Sequence, residues 1–305
     1  MALEAIELLD SYLALCKESN SEIIPHFKKS MESAITVGEV PVVLTLKGNL
    51  REHNFSIKDE NFQLLSQPLL KTSFLKTLDL SYNRLTDQAA PILAQMLASN
   101  SFKLESLILK MNNMGHVTAK YLSEALLSND SLKHLNLSNN EIENEGGMFL
   151  ASMLQVNSTL KKLEIASCGL KTEAILSFYI VLLKNTGISY IDLGDPLRRH
   201  SKDDLIVHAT KLIHINPRLK HIGISKHSIT DTDAEIFSKC LGVTCNLESI
   251  DISRNNIMAD GCICLSDYLK YNETIKYLDL SHNQILFKGA VAISRYLKWD
   301  TNLRQ

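Results

Sequence analysis

One nine-position pattern returns along the 305-residue chain at a nearly constant interval. It reads LxxLxLxxN, with apolar residues at positions one, four and six and asparagine at position nine, as in LKTLDLSYN. The ninth position, which we call the Asn column, is occupied in turn by Asn83, Asn112, Asn140, Cys168, Pro196, His227, Asn255 and Asn283. The intervals are 29, 28, 28, 28, 31, 28 and 28 residues. Such spacing indicates an internal structural repeat.

Each repeat has a first half typical of a strand and a second half typical of a helix. Leu78 and Leu80 flank Asp79 in the two-residue alternation of a strand with one buried face. Small residues open the helices six positions past the Asn column, at Ala89, Gly146, Gly261 and Gly289. Polar residues close the helices three positions before the next pattern, at Asn129, Asn157, Asn185, Asn216, Thr244, Asn272 and Asp300. We interpret these asparagines as residues in the left-handed geometry that ends a helix.

A strand–helix unit of this length cannot bury its apolar face alone, so the units must stack on one another. The sequence therefore predicts an α/β solenoid, a horseshoe with parallel strands on its concave face and helices on its convex face. We expect each Asn-column side chain to turn inward and bond backbone groups that would otherwise be buried without partners.

The two ends of the chain differ from the repeats. Residues 1–40 are predicted to form a helical N-terminal cap, and residues 41–305 the solenoid of about nine repeats. The predicted buried stripe of the first cap helix is Leu3, Ile6, Leu9, Leu13 and Cys16. The final stretch, DTNLRQ, contains the first position of another pattern at Leu303. We therefore expect either a chain truncated inside a repeat or another surface covering that end.

The LxxLxLxxN units with a full helix resemble the ribonuclease-inhibitor-like class of leucine-rich repeats, over residues 42–305. The resemblance implies a non-catalytic intracellular protein, placed in the cytoplasm, the nucleus or nucleolus, or the cilium. Members of the class bind ribonucleases, activate a small GTPase or belong to cytoskeletal and ciliary assemblies. A shared fold does not choose among such partners.

Composition narrows the classes of function. A net charge of −2 with no large basic block gives no electrostatic footprint for nucleic acid. No stretch has the roughly 20 consecutive apolar residues of a membrane span, and the first 16 residues are too acidic for a signal peptide. The six cysteines are therefore predicted to be reduced thiols of an intracellular protein. Their spacing matches no zinc motif, and we predict no metal and no cofactor.

A column of acidic residues is predicted on the concave face. The central outward position of successive strands holds Asp79, Ile108, Asn136, Glu164, Asp192, Gly223, Asp251 and Asp279. Carboxylates on adjacent parallel strands lie about 4.8 Å apart and repel one another unless a cation or basic partner covers them. The hypothesis is an acidic wall that binds a basic protein surface. The alternative is that Asp in LDLS bonds the neighbouring serine or backbone.

Two further candidate sites follow from departures from the repeat. Pro196 lacks both an amide side chain and an N–H, so we expect the backbone there to be re-routed. The insertion after it is expected to lengthen a loop and lift a basic cluster onto the rim, giving a candidate site at Asp195, Arg198, Arg199 and His200. The open C-terminal end is a candidate docking face through Phe287, Ile293, Leu297 and Trp299.

No catalytic residue is predicted, because no phosphate-binding glycine loop, metalloprotease motif or Ser–His pairing occurs. The sequence therefore favours a non-catalytic scaffold that holds partner proteins through the concave face and rim loop. Two alternatives remain open. One is a structural subunit of a larger ciliary or cytoskeletal assembly, and the other is a regulator or inhibitor of a small GTPase or ribonuclease.

Overall fold

The computed structural model describes residues 2–48, 55–99, 102–197, 205–242 and 246–297. Arg198, Arg199, His200 and Trp299 of the predicted sites lie outside these described residues. The chain divides into two compact units, Met1–Leu160 and Lys161–Gln305. We call them unit 1 and unit 2. The predicted boundary between residues 40 and 41 falls inside unit 1 and stays a prediction.

Unit 1 opens with two helices and continues as alternating strands and helices. The helices are α1 (Ala2–Glu18), α2 (Pro25–Val37), α3 (Asp59–Leu69), α4 (Ala90–Ala98), α5 (His116–Leu126) and α6 (Glu143–Met153). The strands are β1 (Val43–Thr45), β2 (Thr77–Asp79), β3 (Ser106–Ile108) and β4 (His134–Asn136). Each strand pairs in parallel with the next, and equivalent residues of the repeat are register partners, as Leu78 and Leu107 are.

Unit 2 repeats the same alternation. Its strands are β5 (Lys162–Glu164), β6 (Tyr190–Asp192), β7 (His221–Gly223), β8 (Ser249–Asp251) and β9 (Tyr277–Asp279). Its helices are α7 (Thr172–Leu182), α8 (Leu205–Ile215), α9 (Asp231–Leu241), α10 (Ala259–Leu269) and α11 (Leu286–Leu297). The strands again pair in parallel and in register. The predicted strand–helix repeat fold is confirmed in both units.

The apolar positions of the pattern form the core between the strands and the helices. Leu163, Ile191, Ile222 and Ile250 occupy the middle of β5 to β8 and are buried. The helices stack closely, because small residues stand where they begin. A Cβ at Gly146 would lie 3.0 Å from the Cβ of Ala119 on the preceding helix. The predicted role of small residues at the helix starts is thereby explained by close packing.

The Asn column forms a ladder of hydrogen bonds between repeats, as predicted. Asn255 Oδ1 accepts the N–H of Ile229, and Nδ2 donates to the carbonyls of Ile224 and Ile252, at 2.9–3.1 Å. Asn83, Asn112, Asn140 and Asn283 make the same set. Each asparagine therefore bonds two backbone groups of the preceding repeat and two carbonyls of its own.

The helix-closing asparagines form a second ladder, and the interpretation of left-handed geometry is wrong for them. None of Asn129, Asn157, Asn185, Asn216 and Asn272 has a positive φ. Asn157 Nδ2 instead donates to the carbonyl of Leu126 at 2.7 Å, and its Oδ1 accepts the N–H groups of Thr159 and Leu160. Asn216 and Asn272 make equivalent bonds. These side chains join one helix end to the next repeat's strand.

The left-handed residue of the repeat lies elsewhere, immediately before the Asn column. Eight non-glycine residues there have φ between 54° and 61°: Tyr82, Met111, Asn139, Ser167, Asp195, Lys226, Arg254 and His282. The N–H groups of six of them, Tyr82, Met111, Ser167, Asp195, Lys226 and Arg254, continue the sheet bonding; that of Met111 donates to the carbonyl of Ser138 at 3.0 Å. This conformation costs most side chains about 1–2 kcal/mol. We call these residues the left-handed row.

We expected the backbone to be re-routed at Pro196, and this expectation is wrong for the backbone up to Leu197, where the described segment ends. Asp195 keeps the left-handed conformation, and its N–H donates to the carbonyl of Ser225 at 2.8 Å. The N–H of Leu197 donates to the carbonyl of Leu170 at 2.6 Å, the bond found one residue past the Asn column in other repeats. Proline fits because the backbone hydrogen bonds on either side are donated by Asp195 and Leu197, so its missing N–H removes neither of them.

The two residues that flank Pro196 in the Asn column replace part of the asparagine. His227 Nε2 lies 3.0 Å from the carbonyl oxygen of Leu193, where an Asn-column amide would donate. Cys168 Sγ contacts the carbonyl of Ala166 at 3.5 Å, a weak donor as predicted.

The buried face of the first N-terminal helix agrees only in part with the predicted stripe. Leu9 and Cys16 are buried and Leu13 is half-buried, as predicted. Leu3 and Ile6 are exposed, and Ala5, Leu8 and Tyr12 are buried as well, so the buried face is rotated. Tyr12 decides the rotation, since its hydroxyl accepts the N–H of Ile24 at 2.9 Å and its ring packs edge-on against Phe27. In the described part of the chain, no helix combines the length and the apolar character needed to cross a bilayer.

We expect the Asn column to be a large source of stability. Asn255→Ala should lower the free energy of unfolding by about 3 kcal/mol, because it leaves buried backbone groups without partners. The neighbouring Asn256 is exposed and has no side-chain hydrogen bond among the described residues. Asn256→Ala should therefore change stability by less than about 0.5 kcal/mol. Urea unfolding of both variants tests the difference, and equal losses would contradict the ladder.

The left-handed row predicts a stabilising glycine. Met111 and Met148 are both 42% exposed, but Met111 has φ 58° and Met148 lies inside α6. Met111→Gly should raise the free energy of unfolding by about 0.5–1 kcal/mol, because glycine removes the left-handed strain. Met148→Gly should lower it by about 1 kcal/mol. Opposite signs in thermal unfolding support the assignment, and two losses contradict it.

Candidate functional site

The predicted acidic column is divided between the two units. Its members in unit 1 are not exposed as expected. Asp79 is 6% exposed, because its Oδ1 accepts the N–H and hydroxyl of Ser81 and its Oδ2 lies 3.3 Å from Lys47 Nζ. Asn136 is buried in the same way, with Oδ1 accepting the N–H of Ser138 at 2.9 Å. Both side chains hold the local backbone, as the alternative interpretation of LDLS proposed.

Unit 2 holds the other members on one face of its sheet. Glu164, Asp192, Gly223, Asp251 and Asp279 are successive register partners at the ends of β5 to β9. They alternate with the buried core residues of each strand and therefore lie on the side of the sheet away from the helices. Glu164, Asp192 and Asp251 are half-buried, and Asp279 is exposed. We call this side of β5–β9 the sheet face of unit 2.

Asp192 is the member of the column whose negative charge is disfavoured by its surroundings. Its Oδ1 accepts the N–H of Gly194 at 3.0 Å and lies 2.5 Å from where a Cβ of Gly223 would stand. The carboxylate therefore fills the space that a side chain at Gly223 would need and closely approaches that of Gly194. Burial raises the pKa of Asp192, and the negative charges of Asp251 and Glu164 raise it further, against the opposing Gly194 bond.

A row of larger side chains lies beside the acidic column, at the first residue of each strand. Tyr190 and His221 stack with ring centroids 3.8 Å apart, and Lys162 Nζ lies 4.2 Å from the centre of the Tyr190 ring. His221 Nδ1 lies 2.9 Å from Ser249 Oγ. Burial is the main cause that lowers the pKa of His221 to about 4, so its ring is neutral at pH 7.

Sequence reasoning missed this row of Lys162, Tyr190 and His221. The signal was present, since these residues stand two positions before the acidic ones and share their face of the pleated sheet. What the sequence lacks is the stacking, which depends on the in-register pairing of β6 with β7.

Of the predicted rim site, the described residues include Asp195, which belongs to the left-handed row. Its Oδ2 accepts hydrogen bonds from Lys226 Nζ at 2.7 Å and from Ser167 Oγ at 2.8 Å. Partial burial opposes the negative charge, but these two bonds outweigh it and lower the pKa of Asp195. The structure thus connects Asp195 to neighbouring repeats of unit 2.

The predicted C-terminal docking residues lie on α11 of unit 2. Phe287 is 82% exposed, Leu297 is also exposed, and Ile293 is half-buried. Equivalent core positions of the preceding repeat, such as Leu265 and Leu269, are fully buried. The described part of α11 therefore presents apolar side chains to the surface.

The described cysteines are free thiols in different environments. Cys16, Cys168 and Cys262 are buried, and Cys240 and Cys264 are half-buried. Burial raises the pKa of the Cys262 thiol to about 11, so it is protonated at neutral pH. Within the described ranges, no group of three or more His, Cys, Asp or Glu side chains is placed to hold a metal ion.

Comparison with known families agrees with this geometry. A family model described as "Leucine Rich repeat" matches residues 72–90, 128–151, 244–266 and 271–294. These four segments are similar to leucine-rich repeats. The matched segments include β2, β4, β8 and β9, with the Asn column in each. Leucine-rich repeats generally serve as protein-interaction modules.

Several curated proteins share these leucine-rich repeats at low identity. NACHT, LRR and PYD domains-containing protein 14 of Mus musculus is 29% identical over 169 residues, which are 55% of this chain and 17% of that protein. Protein 13 of the same name, from Homo sapiens, is 30% identical over 50% of this chain and 14% of its own length. The chain therefore spans less than a fifth of these relatives.

A solved structure, "Leiomodin-1 Actin-Binding Site 2 (ABS2)", matches 58% of this chain and 86% of its own length. The sequence identity is 13% and the TM-score 0.34. A likeness at this level supports no argument about function.

Two aspartates three residues apart should respond oppositely to neutralisation. The raised pKa of Asp192 adds stability below its unfolded pKa, and that stability is lost as pH rises through the folded pKa. Asp192→Asn keeps the Gly194 bond and should raise the free energy of unfolding at pH 7. The lowered pKa of Asp195 adds stability above its unfolded pKa, so Asp195→Asn should lower the free energy of unfolding at pH 7.

The Asp192 effect should disappear below about pH 3, where its carboxyl group is protonated in the folded and the unfolded chain. The Asp195 effect should only diminish there, because its stability is lost as pH falls through its lowered folded pKa. Urea unfolding followed by circular dichroism at pH 7 and pH 3 measures them. An Asp192→Asn gain that persists at pH 3 would show a cause other than charge.

Proposed function

We propose that this protein is a non-catalytic scaffold that binds a partner protein through the sheet face of unit 2. The observation that supports the proposal is the charge of that face. Glu164, Asp192, Asp251 and Asp279 stand in register on it, and Lys162 is the one basic residue of the two outward rows described for β5–β9. Lys162 is already engaged, 3.3 Å from Glu164. A partner with a basic surface would fit such a face.

The comparison between the two units supports a role beyond structure for the acidic column in unit 2. In unit 1, Asp79 is buried and its charge is matched by Lys47. In unit 2, Asp192 also accepts a backbone N–H, that of Gly194, but burial and the charges of Asp251 and Glu164 raise its pKa.

Other features of the proposal rest on weaker support. Five described cysteines are free, which favours a reducing intracellular compartment such as the cytoplasm, nucleus or cilium. The stretches NEIENEGGMFLASMLQVNSTLKKLEI and SKHSITD resemble leucine-rich repeat-containing protein 34. The names of the curated relatives include LRR, for leucine-rich repeat, among their domains. We propose that the repeats of this chain serve as an interaction module.

A second candidate is a structural subunit of a larger assembly. The exposed apolar residues Phe287 and Leu297 on α11 favour it, because contiguous apolar surface marks contact sites. Sedimentation analysis of Phe287→Asp against the wild type would test this candidate. Loss of an assembly present in the wild type supports it, and an unchanged monomer contradicts it.

The scaffold proposal predicts that charge reversal on the sheet face removes binding. Asp251→Lys with Asp279→Lys changes the net charge by the same amount as Glu235→Lys with Asp267→Lys on helices α9 and α10. Proteins captured from lysate by the wild type and by the helix variant should be lost with the sheet-face variant. Their capture should also weaken as salt increases.

Circular dichroism must first show that both double variants are folded. If the sheet-face variant captures the same proteins as the helix variant, the sheet face is not the binding surface.

A further inference from the structure

We propose that the outer edge of β1 in unit 1 binds an extended segment of a partner protein, which continues the sheet as one more parallel strand. The side chains of that segment enter the groove between β1 and α2. This site is separate from the sheet face of unit 2 and does not depend on the function proposed for that face. Its basis is a set of unpaired backbone groups, a groove beside them and two unpaired charges.

The strand β1 forms hydrogen bonds along one edge. The carbonyl of Val42 and the N–H of Leu46 both bond residues of β2, at 3.1 Å and 2.7 Å. Alternate residues of a parallel strand direct their backbone groups to opposite edges, so those of Val43 and Thr45 point away from β2. In the part of the chain that the structure describes, no hydrogen bond uses the N–H or the carbonyl of either residue.

These backbone groups specify an extended chain as the ligand. They stand where the groups of Thr77 and Asp79 stand in β2, and those pair with β1 in parallel register. A further strand would therefore repeat the β1–β2 interface, in the way that sheet edges bind extended peptides. Val43 is 57% exposed and Thr45 is exposed. The strand contains neither proline nor a charged residue, which commonly protect sheet edges from pairing.

A groove of about 520 Å³ lies between β1 and α2. Its α2 side includes three small residues, Ser30, Ser33 and Ala34, and Thr45 of β1 also lines it. Small side chains on the helix leave room for the side chains of an added strand. Val37, at the end of α2, lines the same groove and is 68% exposed, so it offers an apolar contact.

Two unpaired charges line the groove at different heights along α2. Lys29 and Glu39 both belong to it, and neither side chain has an ion pair or hydrogen bond among the described residues. Glu39 lies in the turn just before β1, whereas Lys29 lies eight residues before the end of α2, about 12 Å along the helix axis. A strand with a basic residue near Glu39 and an acidic residue three positions later, about 10 Å further, complements both.

The chain itself contains a stretch with this order of charges, which serves as the probe. In KTLDLS, residues 76–81, lysine stands three positions before aspartate. In the parallel register of the sheet, the lysine of a KTLDLS peptide lies opposite Val42, beside Glu39. Its aspartate lies opposite Thr45, towards Lys29.

The experiment is a nuclear magnetic resonance titration of the full chain with the acetylated, amidated KTLDLS peptide in low-salt buffer. The amides of Val43 and Thr45 should shift downfield in a saturating manner, because they gain acceptors. Those of Leu44 and Leu46 should shift much less, because they already bond β2. No saturating shift, or equal shifts of all four amides, would overturn the proposal.

Two changes test the backbone pairing. Thr45→Pro removes an outward N–H but none of the β1–β2 bonds, as an edge strand tolerates, and should abolish binding. Thr45→Val keeps the N–H and should bind like the wild type. In the peptide, N-methylation of both leucines should abolish binding, because their N–H groups face β1, whereas N-methylation of threonine and aspartate should not. Binding that survives leucine methylation contradicts strand pairing, whether or not Thr45→Pro folds.

The charges and the second possible occupant are tested separately. Lys29→Gln should weaken peptide binding about threefold, the effect of one exposed ion pair. Lys28→Gln should leave it unchanged, because Lys28 pairs with Glu32 and does not line the groove. Equal affinities of the wild type and Lys29→Gln would overturn the charge assignment. A dimer of the free chain that Thr45→Pro disrupts in sedimentation would show that a second copy fills the edge, which overturns the assignment to a partner protein.

Discussion

The hydrogen bonds of the Asn-column side chains are the interaction on which the repeats depend. The chain leaves each strand through a bend whose backbone groups are buried and cannot all pair with one another. The amide of Asn255 satisfies groups in two adjacent repeats, and the helix-closing asparagines do the same on the opposite side of the strand. The leucine core provides the burial, and the two ladders fix the register that makes the core continuous. Without register, the outward side chains would not form rows.

The rows of outward side chains follow from that register. In unit 2 the same alignment that pairs Ile191 with Ile222 also stacks Tyr190 on His221 and brings Asp192 beside Asp251. A sheet of repeats therefore brings like charges together wherever the sequence repeats them. Unit 1 relieves this by pairing Asp79 with Lys47, whereas unit 2 leaves Asp192 in a buried, acidic environment.

The repeat was predictable from the nearly constant interval between Asn-column positions. Its strand–helix order was predictable from the two-residue alternation inside the pattern and the helical spacing after it. The role of the helix-closing asparagines was not predictable, because asparagine is favoured both in a left-handed turn and in a hydrogen-bond ladder. The left-handed row was hidden for a different reason. Tyr82, Met111 and Lys226 are not residues that favour positive φ, and tertiary pairing overrides their preference. The burial of Asp79 and the engagement of Asp195 depend on Lys47 and Lys226, which lie in neighbouring repeats and are found only once the register is known.

The left-handed row has a consequence for how such a chain can change. Its eight residues share one backbone geometry although their side chains are aromatic, aliphatic, polar, acidic and basic. Six of them donate their backbone N–H to the next repeat whatever their side chain, and most of the eight are exposed. Each position of the row therefore accepts side chains of different types at a similar conformational cost. Within each unit, the side chain at this position could therefore change one repeat at a time while the two hydrogen-bond ladders stay the same.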